Sequence, residues 1–379
     1  MKPVRRILFV VNVDWFFLSH RLPIALEALR RGYEVHVATG VTEHLETLRA
    51  HGLIIHPLHL ERKSQRPDRL LREGYQLLRI FLNVRPHLIH LITIKPVLLG
   101  GVAARVAKVP AVVAAVTGLG FVFVDRGRKA KLRKLLASRL YRAAFGHRNL
   151  HAIFQNSNDQ DSVLDFSGLS VNETTLINGA GVDLREYRVL TTDNEKAPVV
   201  LMAARLLAEK GVREFVEAAR RLKGISPARF VLVGAPDEAS TNSITQLELD
   251  EWHKEGVIEY WGYRKDMPEV LTQASIVVLP SYYGEGLPKV LIEAAACGRP
   301  VITTDHPGCR DAIENGVTGI LVPIRDAQAL ADAIQTLSSN PARALEMGLA
   351  GRDRAERLFD VEQVLDAHFR IYDELLSRI

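Results

Sequence analysis

Cysteine is nearly missing from this chain of 379 residues: only Cys297 and Cys309 occur, and neither belongs to a Cys-x-x-Cys pair. That argues against a disulfide framework and against a cysteine zinc site, and makes a reducing compartment the expectation. Long apolar runs are lacking too. The opening "MKPVRRILFVVNVDWFF" begins like a secretory leader, but its apolar run is short and Asn12 and Asp14 interrupt it. It reads as a first strand instead. No stretch approaches the ~20 apolar residues of a membrane span. The 13 histidines are scattered, and the isolated His147-x-x-x-His151 and Asp159-x-Asp161 spacings are not read as a metal cluster, so no metal is expected. No Gly-x-Gly-x-x-Gly follows the first strand, which argues against a nicotinamide dehydrogenase.

What the chain does have suits two domains of nearly equal size. Its hydrophobic fraction is 47%, uninterrupted by low-complexity sequence, so each half can bury a core. Its net charge of +5 is unevenly spread: residues 1–190 hold 28 Lys and Arg against 15 Asp and Glu, the remainder 21 against 29. A basic first half and an acidic second half point to different partners for each.

The first half alternates apolar runs ("RILFVVN", "YEVHVAT", "LIIHPL", "HLIHLIT", "AVVAAVT", "HAIFQNS") with helical patterns at 21–31, 43–50, 68–84, 96–108 and 129–145. Strands that are apolar throughout imply a parallel sheet covered on both faces. "REYRVLTTDNEKAP" is polar and aperiodic and reads as a linker, 185–198. The alternation restarts with "VVLMAAR", "RFVLVGA", "VIEYWG", "SIVVLP", "PVITT" and "GILVP", and the chain ends in helical patterns at 342–358 and 361–379. The expected division is a first domain at 1–184, a second at 199–360, and a terminal helix at 361–379 that would cross back to the first. In open α/β sheets ligands sit at the carboxyl ends of the strands, so the chemistry should lie in the strand-to-helix loops.

Two such loops carry it. After "VVLMAAR", the loop "LLAEKG" puts Arg205 and Lys210 ahead of a helix at 212–222, an arrangement that suits an anion. After "SIVVLP", residues 281–286 form a turn, Pro288 is placed as the first helical residue, and the helix runs through "KVLIEAAAC" to Gly298. Gly286 allows close backbone approach. The amides around Leu287, Pro288 and Lys289 would face a phosphate, while Glu285 and Glu293 flank that position. Carboxylates accept from vicinal hydroxyls, so a ligand with both phosphates and diols fits, and a nucleotide sugar has both.

The spacing Glu285-x7-Glu293 within "EGLPKVLIEAAACGRPVI" resembles the E-x7-E motif of family-four retaining glycosyltransferases of GT-B fold. "AARLLAEKG" resembles their Arg-x4-Lys motif, "WGYRKDMPEVL" their base-holding segment, and "INGAGVD" their interdomain element. "VNVDWFFLSHRLPIALEALRRGYEVHVAT" and "LITIKPVLLGGVAARVAKVPAVVAAVTGLGFVF" are similar to the CapM-like bacterial branch, which builds capsule, O-antigen and other lipid-linked glycans. The resemblance implies two Rossmann-like doubly wound domains facing a central cleft. It implies retaining transfer of a hexose or N-acetylhexosamine from a nucleotide sugar, a UDP-sugar, to a polyprenyl-diphosphate-linked sugar. No cofactor or metal is implied. By the same resemblance Arg205 and Lys210 meet the donor diphosphate, Glu285 the transferred sugar and Glu293 the ribose. Gly286, Leu287, Pro288 and Lys289 supply amides, and Gly262, Tyr263 and Arg264 hold the base. Many relatives carry a histidine after the "AVVAAV" strand, whereas here Thr117 and Gly118 stand there, so no catalytic histidine is carried over.

The acceptor is expected on the first half, with Asp14, His20, Lys95, Thr117 and Gly118 as candidate contacts. The stretch 126–148 holds nine cations and no acid, beside a stripe of Leu132, Leu135, Leu136, Leu140 and Tyr141. It reads as a contact with an anionic membrane, which would make the protein peripheral on the inner face of the cytoplasmic membrane. No nucleic-acid-binding motif accompanies these charges. A GT-B-like nucleotide-sugar epimerase and a non-catalytic nucleotide-sugar-binding scaffold are the rival readings.

Overall fold

Most strands are apolar on both faces, and this dictates what surrounds them. The computed structural model of the chain describes residues 4–60, 66–118, 138–190, 197–237 and 240–379. Strands β1 (Arg6–Val11), β4 (Leu88–Ile92), β5 (Ala111–Val116) and β6 (Leu150–Phe154) are buried almost throughout. With β2 (Glu34–Thr39), β3 (Ile54–Pro57) and β7 (Thr174–Leu176) they form a sheet of order β3-β2-β1-β4-β5-β6-β7. A second sheet is built from β8 (Val199–Ala203), β9 (Arg229–Val233), β10 (Glu259–Tyr260), β11 (Ile276–Leu279), β12 (Val301–Thr304) and β13 (Gly319–Val322). Its order is β10-β9-β8-β11-β12-β13. Every described pairing is parallel. The strand order reverses between β1 and β4 in one sheet and between β8 and β11 in the other. Those reversals are where a doubly wound sheet opens to a ligand.

The chain divides into two units, Met1–Ala180 with Glu362–Ile379, and Gly181–Val361. Within the first unit the terminal helix Val361–Ser377 lies against the sheet: Tyr372 Oη is 2.6 Å from His90 Nδ1, and Asn149 Nδ2 donates to the Leu375 carbonyl at 3.0 Å. Residues 185–190, whose polar sequence reads as the start of a linker, belong to the second unit. Tyr187 is buried there, Arg352 Nη1 donates to its carbonyl at 2.7 Å, and Arg299 Nη2 donates to the Leu190 carbonyl at 2.8 Å. Long-range polar contacts of this kind leave no local period. Periodicity also gives no sign of the short helix Asp14–His20 or of the helix Ser157–Ser167, although Asn156 caps the latter by accepting from the Asp159 amide.

The basic stretch 126–148 lies outside the described residues up to residue 137, so Leu132, Leu135 and Leu136 are not placed. Its described end corrects part of the expectation. Tyr141 is buried in the core, edge-on to Phe166 at 4.8 Å between ring centroids, and does not belong to an outward stripe; Leu140 is partly exposed.

The terminal helix gives the fold a pH dependence. His368 and His90 are fully enclosed, next to the buried guanidinium of Arg21. Burial, and then the charge on Arg21, push His368 down to about 3; burial, and then His368, hold His90 well below its ordinary value. The unfolded chain therefore takes up protons below ~6.5 that the folded chain refuses until lower pH. The stability these groups contribute is present above that pH and is lost as pH falls towards the folded values. The urea midpoint is expected to fall steadily from pH 7 to pH 4, and to fall less steeply in His368→Gln. Parallel slopes in the two proteins would rule this cause out.

Candidate active site

The second sheet's reversal brings two loops together. The loop after β8 runs through Arg205 to the one-turn segment Ala208–Lys210 and the helix Val212–Leu222. The loop after β11 leads into the helix Lys289–Ala296. They are stitched by the Glu209 carbonyl, which accepts from the Tyr282 amide at 3.0 Å and lies 3.3 Å from Ser281 Oγ. Gly211, at φ 82°, closes the gap, because a Cβ there would lie 2.2 Å from the Pro280 carbonyl oxygen. The loop after β12 seats as closely: a Cβ on Gly308 (φ 82°) would be 2.1 Å from the Gly286 carbonyl oxygen. Glycine at both positions is a steric requirement.

This packing puts Lys210 and Glu285 in direct contact. Lys210 Nζ donates to Glu285 Oε1, and both side chains are largely buried. Ser281 Oγ donates to the same oxygen at 3.0 Å, and Lys210 Nζ stands 5.8 Å from the Tyr283 ring centroid. Arg205 is more open and pairs with Asp237 at 3.0 Å, from the loop after β9. Beneath them Cys309 is enclosed, its thiol pushed up to about 12 by burial and then by Glu285, so it remains a neutral thiol at physiological pH.

Glu293 lies in the second turn of the helix Lys289–Ala296 and is 5% exposed. Its Oε1 accepts from Tyr187 Oη at 2.6 Å and lies 3.1 Å from Lys289 Nζ. Burial, and then Glu293, raise the Tyr187 phenol well above its ordinary range, so it stays a donor. The helix itself is anchored from behind. Arg352 Nη1 donates to the Ala296 carbonyl at 2.7 Å, and a Cβ on Gly348 would stand 2.2 Å from the Gly298 carbonyl oxygen. Ala295 faces the helix that carries Gly348 and Arg352, where a Cβ on Gly351 would stand 3.8 Å from the Ala295 Cβ, so the close approach accounts for alanine at that position. One detail of the helix start differs from expectation. Pro288 has ψ 123° and is the residue preceding the helix, not its first member.

Among the base-holding candidates, Gly262 follows β10 at φ 68° and its carbonyl accepts from the Gly234 amide at 2.9 Å. Tyr263 is largely exposed, and Arg264 is paired with Asp266.

On the first unit the candidates fare unevenly. Asp14 is fully buried, and its carboxylate accepts from the Trp15 amide at 2.8 Å and from the amide and hydroxyl of Thr42, both at 2.6 Å. It ties the loops after β1 and β2 together and is not offered to a ligand, which corrects its reading as an acceptor contact. Lys95 stands in the first turn of the helix Ile94–Val106, as its sequence position suggests. It is 2.7 Å from buried Glu73, so it is half of an ion pair and not an open cation. His20 stacks on Phe16 at 4.2 Å, while Thr117 and Gly118 follow β5 and are partly exposed.

Sequence reasoning missed Tyr187, Ser281 and Asp237. Their signal is tertiary: Tyr187 stands 106 residues from Glu293. It also missed Thr93, where β4 meets its helix at the first reversal. Thr93 has φ 71°, a strained value for a β-branched residue, and its Oγ1 accepts from Asn12 Nδ2 at 2.8 Å. Among the described residues no group of three or more His, Cys, Asp or Glu is disposed to hold a metal.

The likeness to known proteins extends over the whole chain. A family model for glycosyl transferases group 1 matches residues 185–354, and one for glycosyl transferase 4-like domains matches residues 6–152. The N,N'-diacetylbacillosaminyl-diphospho-undecaprenol alpha-1,3-N-acetylgalactosaminyltransferase of Campylobacter jejuni is 31% identical, over 96% of this chain and 99% of its own. Anabaena HepE, whose crystal structure holds UDP and glucose, has a TM-score of 0.75 at 19% identity, covering 98% of this chain and 99% of that one. A glycosyltransferase from Rickettsia africae has a TM-score of 0.78 at 17% identity over the full length of both. The chain with the Lys210–Glu285 pair and buried Glu293 therefore belongs to the family-four glycosyltransferases of GT-B fold.

Proposed function

We propose that the protein transfers a hexose or N-acetylhexosamine from a UDP-sugar to a sugar carried on a polyprenyl diphosphate, with retained anomeric configuration and without a metal, in bacterial surface glycan assembly. The observation that supports this reading is the contact of Lys210 with Glu285 between the loops after β8 and β11, with Arg205 on the first of those loops and Glu293 in the helix that follows the second. The acceptor class follows the name of the Campylobacter jejuni relative, and the nucleotide follows the UDP held by Anabaena HepE.

Each residue has a task in this reading. Without donor, Lys210 is neutralised by Glu285; the arriving diphosphate offers it a second anionic partner. As the bond from the anomeric carbon to the phosphate oxygen breaks, negative charge grows on the leaving nucleotide, and Lys210 and Arg205 stabilise it. The acceptor oxygen bonds to the anomeric carbon on the same face, and its proton passes to a donor phosphate oxygen. Glu285 holds hydroxyls of the moving sugar. Glu293 uses Oε1 for Tyr187 and Lys289, leaving Oε2 for the ribose hydroxyls. Gly286 to Lys289 supply amides, and Gly262 to Arg264 receive the base. The acceptor's place on the first unit is read from His20, Thr117 and Gly118, with Lys95 reaching it only by exchanging Glu73 for an acceptor phosphate. The cations of 126–148 draw the protein to the inner face of the cytoplasmic membrane. No helix among the described residues is long and apolar enough to cross one.

Purified protein incubated with UDP- and GDP-sugars, with and without polyprenyl-diphosphate sugars, tests the proposal. Nucleotide release that depends on the acceptor and persists in EDTA is expected. Release with no acceptor requirement, or a strict metal requirement, would contradict it. A finer expectation concerns Tyr187. Removing its hydroxyl deletes a hydrogen bond to a charged group, worth ~1.5–3 kcal/mol, and loosens Glu293. Tyr187→Phe should raise the donor KM about tenfold or more with kcat little changed. An effect confined to kcat would separate Tyr187 from ribose binding.

A further inference from the structure

The helix Pro67–Val84 has two apolar sides, and only one of them is needed for the core. Leu77, Phe81 and Val84 are buried, and Glu73 on that side is paired with Lys95 of the neighbouring helix Ile94–Val106. The other side carries Leu71, Tyr75 and Leu82, which are 77%, 62% and 52% exposed. Residues 71, 75 and 82 fall on one stripe of an α-helix. Large apolar side chains exposed singly are ordinary; three aligned on one helix mark a surface that meets something apolar.

The neighbouring charges identify the partner. Arg72 and Arg79 are exposed beside the stripe and Arg85 stands just past the helix end; none of the three has a carboxylate partner among the described residues. The exposed acid of this helix's first turn, Asp68, is already 3.2 Å from Arg66. An apolar stripe bordered by unneutralised arginines complements an anionic bilayer surface: the apolar groups enter the interface and the guanidinium groups meet the headgroups. A second copy of the chain suits it poorly, since a two-fold contact through this stripe would set the same arginines against each other.

We propose that the outer face of the helix Pro67–Val84 seats the first unit on an anionic membrane surface, with Leu71, Tyr75 and Leu82 inserted and Arg72 and Arg79 at the headgroups. This rests on the reading of a lipid-linked acceptor and names the face that would approach it. It differs from the stretch 126–148 in having its outward side chains placed by the structure.

Vesicle flotation of the full chain tests it, using phosphatidylglycerol–phosphatidylcholine vesicles against phosphatidylcholine alone. The wild type should float with the anionic vesicles only, and less at high salt. Each arginine removed should weaken binding about fivefold, so Arg72→Glu with Arg79→Glu should weaken it about 25-fold or more. The triple change Leu71→Ser, Tyr75→Ser and Leu82→Ser should abolish flotation. Both variants should keep the wild-type melting temperature, and their transfer to a short-chain, water-soluble prenyl-diphosphate acceptor should stay at the wild-type rate. Flotation of both variants like the wild type would overturn the assignment of this face, as would equal wild-type binding to neutral vesicles. A concentration-dependent dimer, seen by sedimentation and lost in the triple variant, would assign the face to self-association instead. Absence of transfer to the soluble acceptor by the wild type would count against the proposed reaction and not against this face.

Discussion

Lys210→Ala is expected to lower kcat/KM about a hundredfold or more, with Arg205→Ala close behind. The loss of one preorganised cation facing the leaving diphosphate costs ~3 kcal/mol in the transition state. The two variants should differ in stability. Arg205 is partly exposed in its pair with Asp237, and exposed pairs contribute little, so Arg205→Ala should melt like the wild type. Lys210 is the largely buried partner of Glu285, and its removal leaves a carboxylate without its cation, so Lys210→Ala should melt lower. Adding Glu285→Gln to Lys210→Ala should restore the melting temperature and leave turnover low. Near-wild-type turnover in both single variants would remove these residues from the chemistry.

The two glutamates should separate binding from transfer. Glu293→Gln keeps the shape of the side chain and its contact with Tyr187 but removes the charge that would accept two ribose hydroxyls. UDP affinity is expected to drop about tenfold or more, as charge-assisted hydrogen bonds are worth ~1.5–3 kcal/mol. Glu285→Ala should act otherwise. It removes the anion that holds Lys210, so the lysine is released to the diphosphate. UDP affinity should be unchanged or higher while sugar transfer falls by about two orders of magnitude. Calorimetry with UDP on both variants decides the matter. Weaker UDP binding in Glu285→Ala, with none in Glu293→Gln, would exchange the two roles.

How much of this could be read beforehand depends on where the information resides. Strands β1, β4, β5, β8 and β11 are short apolar runs bounded by turn residues, and their burial on both faces is written in the run itself. β7 has three residues, Thr174–Leu176, and only pairing with β6 makes it a strand. The positions of Arg205, Lys210 and Glu285 in strand-to-helix loops, and of Glu293 in the helix that follows, are legible because helix start and stop residues mark the boundaries. Their partners were not. Glu293 reads as a ligand contact from its position, but its buried partner Tyr187 comes from a segment whose sequence resembles a tether. Asp14 and Lys95 look like loop charges open to a ligand, but Thr42 and Glu73, each more than twenty residues away, already satisfy them. Charge pairing across the fold has no period, so sequence patterning overstates how many charged loop residues stay open to a substrate.

The central claim is that this chain moves a sugar from a nucleotide to a lipid-linked acceptor. Mass spectrometry of the lipid fraction tests it most directly, after incubation of the wild type and Lys210→Ala with a UDP-sugar mixture, a polyprenyl-diphosphate sugar and EDTA. The account predicts that the wild type adds one hexose or N-acetylhexosamine to the lipid, and that Lys210→Ala adds about a hundredfold less in the same time. A lipid of unchanged mass, with the UDP-sugar epimerised or merely bound, would contradict it.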